Sequence, residues 1–123
     1  MNKKILLVDS DPMWQRLCQI KFRETFGLDV VCVSDSVAAR EVLAHQKPSA
    51  ILMDIMLPGQ DGLAFTEEIK NNPELKHIPV ICVSSLSHPD HVHHSIMAGA
   101  SAYVNKKTLE GASHLVEVVR QFI

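Results

Sequence analysis

The chain reads as one α/β domain, a doubly wound parallel sheet with helices on both faces, and three observations predict it. Five short aliphatic runs alternate with five stretches of helical character, strand then helix throughout. The run Ala50-Ile51-Leu52-Met53 is apolar at every position, which suits a strand buried on both faces. Polar residues gather where four of the runs stop: Asp9-Ser10-Asp11, Asp54, Ser84 and Lys106. In open sheets of this kind ligands bind beyond the carboxyl ends of the strands, so those residues mark the candidate site.

Composition sets the outer bounds. A chain of 123 residues with 46% hydrophobic and 21% charged residues can build one core without staples. A net charge of −2 gives no electrostatic reason to expect nucleic acid or an anionic membrane as a direct partner. Cys18, Cys32 and Cys82 are far apart, set among apolar neighbours and without a Cys-x-x-Cys, and read as reduced core residues of a cytoplasmic protein. No apolar stretch reaches membrane-spanning length and no signal-peptide pattern opens the chain, so the expectation is a single soluble domain over residues 1–123.

The first strand, Lys4 to Val8, runs into Asp9-Ser10-Asp11-Pro12, and Pro behind a capping acid starts a helix. That helix carries Met13, Leu17 and Ile20 as an apolar stripe and closes at Gly27. Val30 to Val33 is the second strand. Asp35 or Ser34 caps a helix through His45, with Val37, Ala38, Val42 and Leu43 as its core side. The third strand ends in Asp54, and Pro58-Gly59 and Asp61-Gly62 turn the chain into a helix carrying Leu63, Phe65 and Ile69. Asn72-Pro73 ends it, and Val80 to Val83 is the fourth strand. Ser87 or His88 caps the next helix, which runs from Pro89 to about Ala98 and is closed by Gly99. Ala102 to Asn105 is a brief fifth strand, and the last helix starts near Thr108 with Leu109, Leu115, Val116, Val119 and Phe122.

Two carboxylates at neighbouring strand ends raise one another's pKa, and a hard cation removes that cost. Mg²⁺ takes one or two protein carboxylates, keeps several waters and also binds phosphate oxygens. A carboxylate can itself attack phosphorus, giving an aspartyl phosphate whose charge then needs a metal on one side and a cation on the other. Lys106 supplies the cation and Ser84 a hydroxyl donor. The chemistry expected is phosphoryl transfer onto Asp54, with Mg²⁺ assistance.

Four motifs carry a family resemblance: Ile5-Leu6-Leu7-Val8-Asp9, Leu52 through Gly62 around Asp54, Pro79 through Ser84, and Gly99 through Lys106. In that order and at strand ends, they make the chain resemble the receiver domain of bacterial two-component response regulators. The resemblance implies a flavodoxin-like five-stranded sheet of order 2-1-3-4-5. It implies that Asp54 is the phosphoacceptor, served by a sensor histidine kinase or a histidine phosphotransfer protein. Asp9, Asp54 and the Met56 backbone carbonyl are then the Mg²⁺ ligands. Ser84 and Tyr103 are the switch pair, acting on the face formed by the fourth helix, fifth strand and fifth helix. That face is where a homodimer would form, and an output domain or effector protein would read the change. The domain is expected to signal rather than to act as a conventional enzyme.

Two departures from the family pattern stand out. Ser10 replaces the usual second acid, so Mg²⁺ binding is expected to be weaker, with the serine at most a poor ligand. Lys107 replaces the usual Pro, and a non-proline bond is expected to be trans, since cis costs about 2.5–4 kcal/mol. Met56 and Leu86 stand where polar groups assist water in some relatives, so loss of phosphate is expected to be slow. Two other functions compete: a receiver fold used only for protein binding, and a small aspartate-based phosphatase suggested by Asp9-Ser10-Asp11. His88, His91, His93 and His94 crowd one helix; an exposed, partly titrating helix end is the expected reading, ahead of a transition-metal site.

Overall fold

A computed structural model describes residues 3–85, 89–106 and 111–123. Its elements follow the alternation read from the sequence: β1 (Lys4–Val8), α1 (Pro12–Phe26), β2 (Asp29–Val33), α2 (Ser36–His45), β3 (Ala50–Asp54), α3 (Gly62–Lys70), β4 (Val80–Ser84), α4 (Pro89–Met97), β5 (Ala102–Asn105) and α5 (Gly111–Arg120). The strands form one parallel sheet in the order β2-β1-β3-β4-β5. The expected caps at Ser87 or His88, the helix start near Thr108 with Leu109, and the bond at Lys107 lie outside the described residues.

Period-two alternation divides the core into two layers. Ile5, Leu7, Ala50, Leu52, Ile81, Val83 and Val104 point to the side covered by α1 and α5, against Trp14, Cys18, Phe22, Leu115 and Val119. Leu6, Val8, Ile51, Met53, Val80 and Cys82 point to the other side, against Ala39 and Leu43 of α2 and Phe65 and Ile69 of α3. Each such aliphatic side chain, once fully buried, contributes about 1.5–3 kcal/mol. β3 and β4 are buried along their whole length, as expected of central strands covered on both faces.

Local signals fix the helix ends. The Asp11 carboxylate accepts from the Met13 backbone N–H at 3.0 Å, Asp35 from Ala38 at 2.8 Å and Asp61 from Leu63 at 2.8 Å. Gly27, at φ +66°, closes α1 in the left-handed conformation, its N–H donating to the Arg23 carbonyl at 2.9 Å.

The structure corrects two helix faces. Met13 is 83% exposed and Leu17 and Ile20 are also open to solvent, whereas Trp14, Cys18 and Phe22 are buried. Two apolar stripes run along α1, one residue apart, and the bulkier one takes the sheet. In α2 the buried side is Ser36, Ala39 and Leu43, and Val37 is 72% exposed. Cys18 and Cys82 are buried and Cys32 is half-buried, all three as free thiols. No helix among the described residues is long and apolar enough to cross a membrane.

Candidate functional site

Strand register brings the polar residues together. Val8 pairs with Met53, so Asp9 and Asp54 follow at one level on neighbouring strands. Ser84 pairs with Asn105, and Lys106 is the next residue. Parity then sorts them. Asp9, Asp54 and Lys106 continue the alternation of Leu7, Leu52 and Val104, the layer that holds Trp14. Ser84 and Tyr103 continue the other set, with Cys82.

Contacts follow that division. Lys106 Nζ lies 2.5 Å from Asp9 Oδ2 and 3.5 Å from Asp54 Oδ2, and 5.5 Å over the centroid of the Trp14 ring. Asp9 is fully buried; its Oδ1 accepts from the Asp11 backbone N–H at 2.9 Å, and its backbone carbonyl accepts from Gln15 Nε2 at 2.5 Å. Asp9 Oδ2 has the Lys106 charge beside it but no aligned hydrogen bond. Asp54 Oδ1 accepts from the Met56 backbone N–H at 3.0 Å. Burial pushes the Asp54 carboxyl above its ordinary range; Asp9 adds to the rise, while the Met56 N–H and Lys106 oppose it.

On the other side of the sheet, Ser84 is fully buried and its side chain interacts with the Tyr103 hydroxyl. The Ser84 backbone carbonyl accepts from the Lys106 N–H at 2.9 Å, so the strand end carrying the hydroxyl also anchors the loop carrying the ammonium. Burial raises the Tyr103 phenol above its usual value, and the interaction with Ser84 opposes it.

Of the residues named from the sequence, Asp9, Asp54 and Lys106 come into direct contact, and Ser84 with Tyr103 forms a second contact. Ser10 is exposed, and Asp11 is turned to its capping duty. Met56 is 59% exposed, at the mouth. Leu86, Lys107 and His88 lie outside the described residues. His93 and His94 stand exposed on α4 with ring centroids 5.9 Å apart, and no three His, Cys, Asp or Glu side chains form a metal-holding group among the described residues. Sequence reasoning missed Gln15 and the Trp14 contact with Lys106. The helical spacing from Asp11 could have found Trp14, which lies three residues beyond the cap and so returns to the same helix end.

The donor set fits a hard divalent cation held mainly by water. Two carboxylates, one with a buried oxygen lacking a hydrogen bond, match what Mg²⁺ asks of a protein. Lys106 competes for the same oxygens.

The response regulator receiver domain family model matches residues 5–120. The response regulator PleD of Caulobacter vibrioides is 30% identical over 106 residues, 86% of this chain and 23% of PleD, so the chain spans about a quarter of that relative. The polar-differentiation response regulator DivK of Brucella anthropi is 26% identical over 123 residues, covering 100% of this chain and 98% of DivK. Among solved structures, the receiver domain of the sensor histidine kinase PA1611 of Pseudomonas aeruginosa has a TM-score of 0.85 at 26% identity, covering 99% of this chain and 98% of that one. That structure has a magnesium ion coordinated in its active site cleft.

Proposed function

This chain belongs to the response regulator receiver domain family, and from that premise we propose that Asp54 accepts a phosphoryl group from a sensor histidine kinase or a histidine phosphotransfer protein. The observation that carries the reading is the convergence of Asp9, Asp54 and the Lys106 ammonium at one end of the sheet. A carboxylate oxygen of Asp54 attacks phosphorus; the O–P bond forms as the donor's P–N bond breaks, and the imidazole leaves with the electron pair. Asp54 must be ionised to do so, and the Met56 N–H and Lys106 favour that form, opposing the rise that burial causes. A Mg²⁺ held by Asp9, Asp54 and the Met56 carbonyl would supply charge neutralisation to the phosphoryl oxygens.

The transferred group then sits between the two layers. Lys106 reaches it from the α1 side and Ser84 from the α3 and α4 side. When the Ser84 hydroxyl turns to a phosphoryl oxygen, Tyr103 loses its interaction with that side chain. That change is the proposed switch on the α4-β5-α5 face, where an effector, an output domain or a second copy would respond. Val92, Ile96 and Met97 are exposed apolar side chains of α4 available to such a partner. Met56 at the mouth offers no acid or base to an attacking water, so the phosphorylated state is long-lived.

Mass spectrometry after treatment with acetyl phosphate and Mg²⁺ tests the reading. Wild type should gain one phosphoryl mass and Asp54→Asn none; an unlabelled wild type overturns it. A second reading, protein binding without phosphorylation, draws on Lys106 lying closer to Asp9 than to Asp54 and on the exposed Ser10. Binding of beryllofluoride at Asp54 would exclude it.

A further inference from the structure

Lys106 has a third neighbour that the phosphoryl-transfer chemistry does not require. An ammonium carries three donors on a flexible four-carbon stem. Its nearest anionic neighbours are Asp9 and Asp54, at 2.5 and 3.5 Å. A third neighbour is the face of Trp14, the only tryptophan of the chain, 5.5 Å from the ring centroid. Trp14 is 7% exposed, fixed between α1 and the sheet.

Packing alone does not account for an indole here. Trp14 Nε1 is buried with no hydrogen-bond partner, a cost that Leu, Met or Phe at this position would avoid. What the indole offers in return is the strongest ring face for a cation. That attraction is broad and has no single preferred direction, unlike a carboxylate contact. Left to the acids, the ammonium settles on Asp9, the shorter contact. To meet a phosphoryl group on Asp54 it has to shift away from Asp9, and a ring face holds it in both places.

We propose that Trp14 is a positioning residue for phosphoryl transfer, its ring holding the Lys106 ammonium where it can pass from Asp9 to the phosphoryl group on Asp54. The inference rests on Asp54 being the phosphoacceptor. Trp14 acts only through Lys106 and touches no reacting atom.

The test is the initial rate of Asp54 labelling by acetyl phosphate with Mg²⁺, in variants of the 123-residue chain that retain the wild-type circular dichroism spectrum. Trp14→Leu should slow labelling between about two- and thirtyfold, the range of a single cation–ring contact. Trp14→Phe, which keeps a ring face, should recover most of the loss. In a Lys106→Gln background, Trp14→Leu should change the rate no further, which a merely structural role would not produce. If Trp14→Leu does not fold, Trp14→Met takes its place. A separate optical signature uses the single tryptophan. Beryllofluoride should shift Trp14 emission in wild type and not in Lys106→Gln. Equal rates for wild type and Trp14→Leu, an undiminished penalty in the Lys106→Gln background, or an emission shift independent of Lys106 overturns the inference. In those cases the phosphoacceptor reading stands; a wild type that takes no label defeats both.

Discussion

Lys106 Nζ stands 2.5 Å from Asp9 Oδ2 and 3.5 Å from Asp54 Oδ2, so a single ammonium neutralises two carboxylates unequally. Asp9 is fully buried and leans on that charge. Removing one partner of a buried pair leaves the other uncompensated, which costs about 3–5 kcal/mol. Lys106→Met is therefore expected to lose about that much stability in urea denaturation at pH 7. Asp9→Asn added to it should restore most of the loss, because the two changes act on one interaction. Additive losses would mean the pair is not the source.

Asp54 has the opposite character. Burial raises its carboxyl pKa above the ordinary 3.8, so the native state binds more protons than the unfolded chain between those two values. The sign follows: the cost of burying the charge is fully present above the raised value and fades as pH falls toward 3.8. Asp54→Asn should thus stabilise the protein at pH 7, and do so less as pH falls toward 4. Urea denaturation at pH 7 and near pH 4 checks it, and an equal gain at both pH values contradicts the cause given.

Much of this site was legible because strands alternate strictly. The sequence puts Asp9, Asp54 and Lys106 at the ends of three strands, and in the structure period two sets them with Leu7, Leu52 and Val104 on one side. The same rule sets Ser84 with Tyr103 on the other. Helices are less determinate. In α1, Met13, Leu17 and Ile20 form a stripe as regular as Trp14, Cys18 and Phe22, and the 3.6-residue period accepts either. Only docking on the sheet decides between them. With the stripe set at Met13, Leu17 and Ile20, nothing in the spacing points the Trp14 ring at Lys106. The bond from Gln15 to the Asp9 carbonyl was hidden for the same reason, since it depends on the rotation of α1 about its axis.

Gly62 opens α3 at a place where a side chain has no room. A Cβ there would lie 2.1 Å from the Asp54 carbonyl oxygen and 2.7 Å from the Ile55 Cα, both backbone atoms that cannot move aside cheaply. Gly62→Ala should destabilise by about 1–3 kcal/mol, as overpacking does, and slow Asp54 labelling as well, because the displaced segment is the one that sets the Asp54 carboxyl. Thermal melts with acetyl phosphate labelling on the same sample check both effects.

The exposed Ser10 sets the last expectation. Asp9 and Asp54 are the two acids at the site, and Lys106 already neutralises them, so a divalent cation gains less here than at a site with a third carboxylate. Asp11 cannot supply that carboxylate while it caps α1 through the Met13 N–H. Ser10→Asp adds an acid beside Asp9, beyond the strand end and next to solvent, where the new charge costs little to hold. Mg²⁺ affinity should rise about tenfold, equivalent to about 1.4 kcal/mol. The emission of Trp14, the single tryptophan, gives the titration its signal, and calorimetry an independent one. Without Mg²⁺ the added repulsion should lower the melting temperature, and saturating Mg²⁺ should recover it. Unchanged affinity would place residue 10 outside the cation's reach.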